Sequence, residues 1–140
     1  MNSPEYQTLS AAFTAAGLSD LLNSNSPFTL FAPSEEALKK WSGENLSLLM
    51  KPENRKELRT MLTYHMIAGR FTAARILRAM CRGAGTAVLT TIQGDEILAS
   101  MQGTDILLTD CSGHTARIIV ADTSQGNGVI HEIDRVIAPR

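Results

Sequence analysis

The stretch NGVIHEIDRVI, residues 127–137, decides the fold of this chain. Its first two residues, Asn127 and Gly128, are a strong turn signal because both tolerate positive φ. The residues that follow alternate between two faces of a strand, and neither face is cleanly apolar. One face carries Val129, His131, Ile133 and Arg135, and the other carries Ile130, Glu132, Asp134 and Val136. This mixture is not typical of an amphipathic strand on a core, and it indicates a specific tertiary context.

Length and composition place the chain among globular proteins. With 140 residues, 44% hydrophobic and 19% charged, it is predicted to form a single domain over residues 1–140. A net charge of −1 without a basic field argues against nucleic-acid binding. The apolar runs are far shorter than a membrane span, and the polar first ten residues show no signal-peptide pattern.

The first half of the chain has helical periodicity. Leu9, Ala12, Phe13 and Ala16 share one helical face, which is predicted to end at Gly17. An extended run over residues 28–31 stops at Pro33, and Ser34 is a suitable N-cap for the next helix. Further helices are predicted from Pro52 and from Thr72. The last of these carries a solvated arginine face made of Arg75, Arg78 and Arg82.

After Gly83 the pattern changes to short β-branched runs separated by glycines. Strands are predicted over residues 88–92, 97–101, 106–108 and 116–120, with turns at Gly94, Gly103 and Gly113. Helices therefore come first and an antiparallel meander second. This order indicates an α+β fold.

Residues with catalytic or metal-binding chemistry are scattered. His65, His114 and His131 are isolated, and no nucleophile elbow, metal spacing or phosphate-binding glycine loop occurs. The sequence therefore predicts no enzyme activity, no metal and no cofactor. Acidic residues at strand ends and turns, Asp105, Asp110, Asp122 and Asp134, are expected to cap backbone amides.

Two groups of residues leave alternatives open. Cys81 and Cys111 are either two unrelated thiols or one disulfide, which would indicate an oxidising compartment. In one interpretation His65 and His131 are hydrogen-bonded parts of the fold. In the other, Tyr64 and His65 are part of an adhesive or ligand surface. These last two readings are compatible with each other.

Three blocks give the chain its resemblance to a known family. They are FTLFAPSEEAL at residues 28–38, LTYHMIAGR at residues 62–70, and residues 127–137 followed by Pro139. In this order they resemble the fasciclin domain of the fasciclin I type, particularly its short bacterial secreted members. The resemblance marks a set of structural signature residues: Phe31, Ala32, Pro33, Asn127, Gly128, His131 and Asp134.

The resemblance implies a wedge of two mostly antiparallel β-sheets flanked by N-terminal helices. It also implies a secreted, periplasmic or cell-surface location, and adhesion to a cell-surface or matrix protein or glycan in place of catalysis. In animal relatives the Tyr-His block is associated with integrin binding, and it corresponds to Tyr64 and His65. A second integrin-associated motif, Asp-Ile, corresponds to Asp122-Thr123. The Thr replacement and the lack of a preceding proline argue against integrin recognition, although Asp122 itself remains.

Two other functions compete with adhesion. A small-molecule binding protein would hold an apolar ligand in a cleft between the helices and the wedge. A hydrolase ranks last, because the Ser and His residues show no spacing that argues for a catalytic pair.

Overall fold

The structure is a computed structural model that describes residues 7–18, 26–42, 51–125 and 128–137; Asn127 and Pro139 lie outside these residues. Its helices are α1 (Gln7–Ala15), α2 (Glu35–Ser42), a 3-10 turn (Pro52–Asn54) that leads into α3 (Arg55–Tyr64), and α4 (Ala73–Arg82). Its strands are β1 (Phe28–Pro33), β2 (Met66–Ala68), β3 (Thr86–Thr90), β4 (Glu96–Gln102), β5 (Asp105–Thr109), β6 (Thr115–Gln125) and β7 (Gly128–Ile133).

The helix ends follow the sequence signals. Helix α1 ends at Ala15, and Gly17 follows it with a φ of 72° that lets the Leu18 amide donate back to the Phe13 carbonyl at 2.9 Å. The Ser34 hydroxyl accepts a hydrogen bond from the Ala37 amide at 3.0 Å at the start of α2. Thr72 caps α4 in the same way, through the Arg75 amide. These helix boundaries are confirmed.

The strands form one mixed seven-stranded sheet in the order β2-β1-β7-β6-β5-β4-β3. The long strand β6 belongs to both halves, because residues 115–117 pair with β5 and residues 118–125 pair with β7. A bridge between Ile67 and Thr91 joins the two sheet edges, so the sheet wraps into a near barrel. The α+β class is confirmed, and the two expected sheets are two halves of one sheet that share β6.

The β1 and β7 strands pair in parallel and separate two apolar cores. Leu30 and Ile130 face the helices, whereas Phe31 and Ile133 face the interior of the near barrel. A strand covered on both faces has no solvent side, so it needs no clean polar face. This explains the mixed pattern of residues 128–133, which are all buried except the half-buried Glu132.

Gly128 permits the close packing of β7 against β1. A β-carbon at Gly128 would overlap the ring of Phe28, which is itself buried. Gly128 is therefore required because the Phe28 side chain lies against its backbone.

Candidate functional site

His65 ties the end of α3 to the C-terminal segment of the chain. Its ring is buried, with only 1% of the residue exposed. The Nδ1 atom lies 2.8 Å from the Met61 carbonyl, and Nε2 lies 3.3 Å from the Ile137 amide. Because a carbonyl only accepts and an amide only donates, Nδ1 carries the proton and Nε2 accepts. The ring is therefore a neutral cross-link between two backbone segments.

Tyr64, the last residue of α3, points into the core of the near barrel. Its hydroxyl donates to the Glu96 carbonyl at 3.1 Å and accepts from the Cys111 amide at 3.2 Å. The hydroxyl thus joins α3 to the start of β4 and to the turn between β5 and β6. The residue has no exposed surface.

Burial keeps both groups in their neutral forms. Desolvation lowers the pKa of His65 from 6.5 to about 4, although the Met61 carbonyl and Asp110 oppose the shift. Desolvation also raises the pKa of Tyr64 well above its usual value, and its hydrogen bond with the Cys111 thiol acts in the same direction. Neither side chain carries charge at neutral pH.

A second corner of the molecule is built around His131 and Asp122. His131 is also buried, and its ring stacks on Phe31 at a centroid distance of 5.8 Å. Its Nε2 donates to the Phe71 carbonyl at 2.7 Å, and its Nδ1 accepts the Asp122 amide at 3.1 Å. Unlike the His65 corner, this one reaches the surface, because 49% of the Asp122 side chain is exposed.

Asp122 has an unusual backbone conformation. Its φ is 61°, in the left-handed region, and it lies within a register shift of the β6–β7 ladder. Aspartate is among the few residues besides glycine that adopt this region at modest cost. One carboxylate oxygen accepts the Ala73 amide at 2.8 Å, at the first turn of α4. The exposed carboxylate is therefore held by a helix N-terminus, and the backbone of Asp122 is held by a β-bulge and a buried imidazole. We call this arrangement the Asp122 corner.

The structure brings the predicted site residues into two places. Tyr64 and His65 lie together in the interior, whereas Asp122 lies at the surface on another element. Asp134 accepts the Arg117 amide at 2.8 Å and extends the β6–β7 ladder beyond Ile133. Among the signature residues that the structure describes, Phe31, Ala32, Pro33, Gly128 and His131 are buried.

The two cysteines are free thiols, and both are exposed. Cys81 lies in α4 and Cys111 in the turn after β5, so the disulfide alternative is not realised in the structure. Asp110 caps the backbone of that turn as expected, accepting the amides of Ser112 and His114. Asp105 instead lies 3.6 Å from the Arg117 guanidinium as an exposed ion pair.

Sequence reasoning missed the loop between β2 and α4. The buried Thr29 hydroxyl donates to the Gly69 carbonyl at 2.8 Å and accepts the Phe71 amide at 2.7 Å. This fixes the loop that supplies the Phe71 carbonyl and the Ala73 amide to the Asp122 corner. The sequence signal for this loop was Thr29, a polar residue within the otherwise apolar run of residues 28–32.

A shallow apolar groove adjoins the Asp122 corner. It has a volume of about 230 Å³ between α4 and the β4–β6 part of the sheet, and Ala73 and Ala121 connect it to the corner. Leu77 and Met101 on its rim are 39% and 44% exposed. Ligand pockets for drug-sized molecules usually enclose about 300–1,000 Å³. The groove is therefore of the size that one or two side chains of a partner would fill.

The two buried histidines have no nitrogen left for proton transfer, since each uses both on backbone groups. Within the described ranges, no group of three or more His, Cys, Asp or Glu residues is placed to hold a metal ion. Nor is any helix in those ranges long and apolar enough to cross a membrane. The geometry offers a fixed exposed carboxylate and an apolar rim, which are features of a recognition surface.

Comparison with known proteins gives the family. The fasciclin domain model matches residues 4–139. A protein of Synechocystis sp., sll1735, is 36% identical over 135 residues, which are 94% of this chain and 88% of the relative. The transforming growth factor-beta-induced protein ig-h3 of Sus scrofa is 36% identical over 141 residues, which are 96% of this chain and 18% of that protein.

A solved structure agrees with the sequence matches. The FAS1 domain pair from the insect cell adhesion molecule Fasciclin I superposes with a TM-score of 0.66 at 27% identity. The match covers 94% of this chain and 43% of that one. The chain belongs to the fasciclin domain family, and the resemblance expected from the three blocks is confirmed. This family is known for cell adhesion and for extracellular proteins.

Proposed function

We propose that this domain is a non-enzymatic, extracytoplasmic adhesion module that binds a cell-surface or matrix protein or glycan at the Asp122 corner. The observation that carries the proposal is the Asp122 carboxylate, which is exposed yet held by the Ala73 amide and the bulge of β6. A rigid exposed carboxylate loses little entropy on binding a cationic or hydrogen-bonding partner. Family membership supports adhesion as the class of activity and a secreted, periplasmic or cell-surface location.

Tyr64 and His65 enter this proposal as positioning residues. Their burial leaves no surface for a partner to touch while the domain is folded. They join α3 to the start of β4, the β5–β6 turn and the C-terminal segment, and so stabilise the sheet that carries Asp122. Substitution at either position is expected to change binding through the stability of the domain.

The test compares two aspartates that make the same kind of bond. Asp122 and Asp134 each accept a backbone amide at 2.8 Å, and asparagine can accept in their place. Immobilised wild type, Asp122→Asn and Asp134→Asn are exposed to envelope and matrix extracts, and the retained molecules are identified by mass spectrometry. We expect Asp122→Asn to lose a partner that Asp134→Asn retains. Equal retention by all three proteins would refute a role for the Asp122 corner.

A second candidate function rests on the apolar groove beside the corner. A small apolar ligand held by Leu77 and Met101 would raise the melting temperature, as any ligand of the native state does. A thermal-shift screen of small apolar compounds tests this. Leu77→Asp should abolish a shift that arises in this groove.

A further inference from the structure

Helix α4 carries a one-sided concentration of positive charge that the Asp122 corner does not use. Arg75, Arg78 and Arg82 follow one another at spacings of three and four residues, so they lie along one side of the helix. All three are exposed. Together with the half-buried Phe71 they line a groove of about 340 Å³. We call this surface the arginine face.

Nothing acidic neutralises this face within the part of the chain that the structure describes. Helix α4 itself contains no Asp or Glu, and no described carboxylate forms an ion pair with Arg75, Arg78 or Arg82. The chain as a whole has a net charge of −1, so the arginines are a local exception. An anionic partner would meet a positive patch of limited length on a slightly negative domain.

Arg75 is already held in place. Its guanidinium lies over the Phe71 ring, 4.1 Å from the ring centroid, and Nη1 donates to the Arg70 carbonyl at 3.1 Å. A guanidinium stacked on an aromatic ring still presents its remaining donors in the plane, where they match a carboxylate. The groove therefore offers the stacked guanidinium of Arg75 beside those of Arg78, whose Nε donates to the Ala74 carbonyl at 3.5 Å, and of Arg82.

We propose that the arginine face is a docking surface for an acidic peptide segment of a protein partner. Successive arginine positions are about 5–6 Å apart, the spacing of carboxylates at i and i+3 or i+4 on a helix. Phe71 and Ala79, both half-buried in the same groove, add apolar surface that a peptide can cover with an apolar side chain. A sulfated glycan or a nucleic acid has no such side chain, so the combination favours a peptide.

The probe is a fluorescent synthetic helical peptide with glutamates at i, i+4 and i+7 and one neighbouring leucine. Its twin carries glutamine at the same positions. Fluorescence anisotropy should show the glutamate peptide binding, more tightly at low salt, and the twin binding at least about tenfold more weakly. Arg78→Gln should weaken binding by about threefold, and the triple variant Arg75→Gln/Arg78→Gln/Arg82→Gln by more than about tenfold.

The matched control is Arg59→Gln, which removes the same charge from the exposed side of α3 and should leave binding unchanged. Asp134→Asn, which removes a carboxylate that does not line this groove, should also leave it unchanged. Equal binding of the peptide and its twin, or loss of binding in Arg59→Gln equal to that in Arg78→Gln, would overturn the proposal. So would tighter binding of a heparin-derived oligosaccharide than of the peptide.

The two free cysteines locate the bound peptide. Cys81 is exposed in α4, three residues from Arg78, whereas Cys111 is exposed in the β5–β6 turn. Saturating peptide should slow alkylation of Cys81 by iodoacetamide at least about threefold and leave the Cys111 rate unchanged. Equal slowing at both cysteines, or no slowing at Cys81, would overturn the assigned location.

Discussion

The two histidine corners use the same chemistry in different surroundings. At both, a buried imidazole donates to a backbone carbonyl and accepts a backbone amide, so it joins segments distant in sequence. Both bonds of His65 are buried, whereas those of His131 are partly buried beside the exposed Asp122. The same kind of cross-link thus lies in the interior at His65 and supports a surface carboxylate at His131.

This difference separates stability from recognition. A cross-link that water cannot reach stabilises the fold, because the backbone groups that it joins have no other hydrogen-bond partner when it is lost. A cross-link beside an exposed group also fixes that group for a partner. Substitutions at the two corners should therefore separate into a stability class and a binding class.

The largest effect should come from His65→Leu, which removes both hydrogen bonds at nearly constant size. The Met61 carbonyl and the Ile137 amide would be left in the interior without a partner, at a cost of about 3 kcal/mol in the free energy of unfolding. His131→Leu is the matched control and should cost about 1–2 kcal/mol, since water can reach its corner. Urea denaturation at pH 8 measures both. An equal or larger loss in His131→Leu would contradict the contrast between the corners.

The pH dependence of stability should follow the His65 corner. Since the pKa of His65 falls from 6.5 to about 4 on folding, the unfolded chain binds the extra proton between these values. The contribution of His65 to the free energy of unfolding is complete above pH 6.5. It is lost as the pH falls toward 4, by up to about 3 kcal/mol. Urea denaturation across this range should show a steeper loss in wild type than in His65→Gln. Parallel curves for the two proteins would show that His65 is not the responsible group.

The sequence predicted most of the local structure and the family but not the separation of these corners. Periodicity and caps locate α1 and α4, because those signals act over one helical turn. That β7 lies between β1 and β6 depends on pairing across about a hundred residues, which no local pattern encodes. The same limit explains why the sequence did not predict the burial of Tyr64 and His65. A family motif marks them as important, but only the packed structure shows both side chains to be buried.

A smaller effect is expected at Tyr64. Tyr64→Phe keeps the packed ring and removes the hydroxyl that bonds Glu96 and Cys111, which should cost about 1 kcal/mol. Thermal or urea unfolding measures the loss, and binding by the folded fraction should be unchanged. Loss of binding without loss of stability would assign Tyr64 to the recognition surface and break the contrast between the corners.

The smallest effect on stability should come from Asp122→Asn, at under about 0.5 kcal/mol. Asparagine tolerates the φ of 61° and can still accept the Ala73 amide, so only the charge is lost. Asp122→Ala should cost about 1–2 kcal/mol, because it removes this acceptor and places a less tolerant residue in the left-handed region. Urea denaturation ranks the two variants, and partner retention is expected to fail in both.

The comparison of Asp122→Asn with Asp122→Ala shows which property of the Asp122 corner a partner recognises. If only the alanine variant lost binding, the carboxylate charge would be unnecessary and the geometry of the bulge would be the recognised feature. If both lost binding while Asp134→Asn kept it, the charge itself would be recognised. A stable Asp122→Asn protein without binding is the outcome that separates this corner from His65, where no substitution should lower binding without first lowering stability.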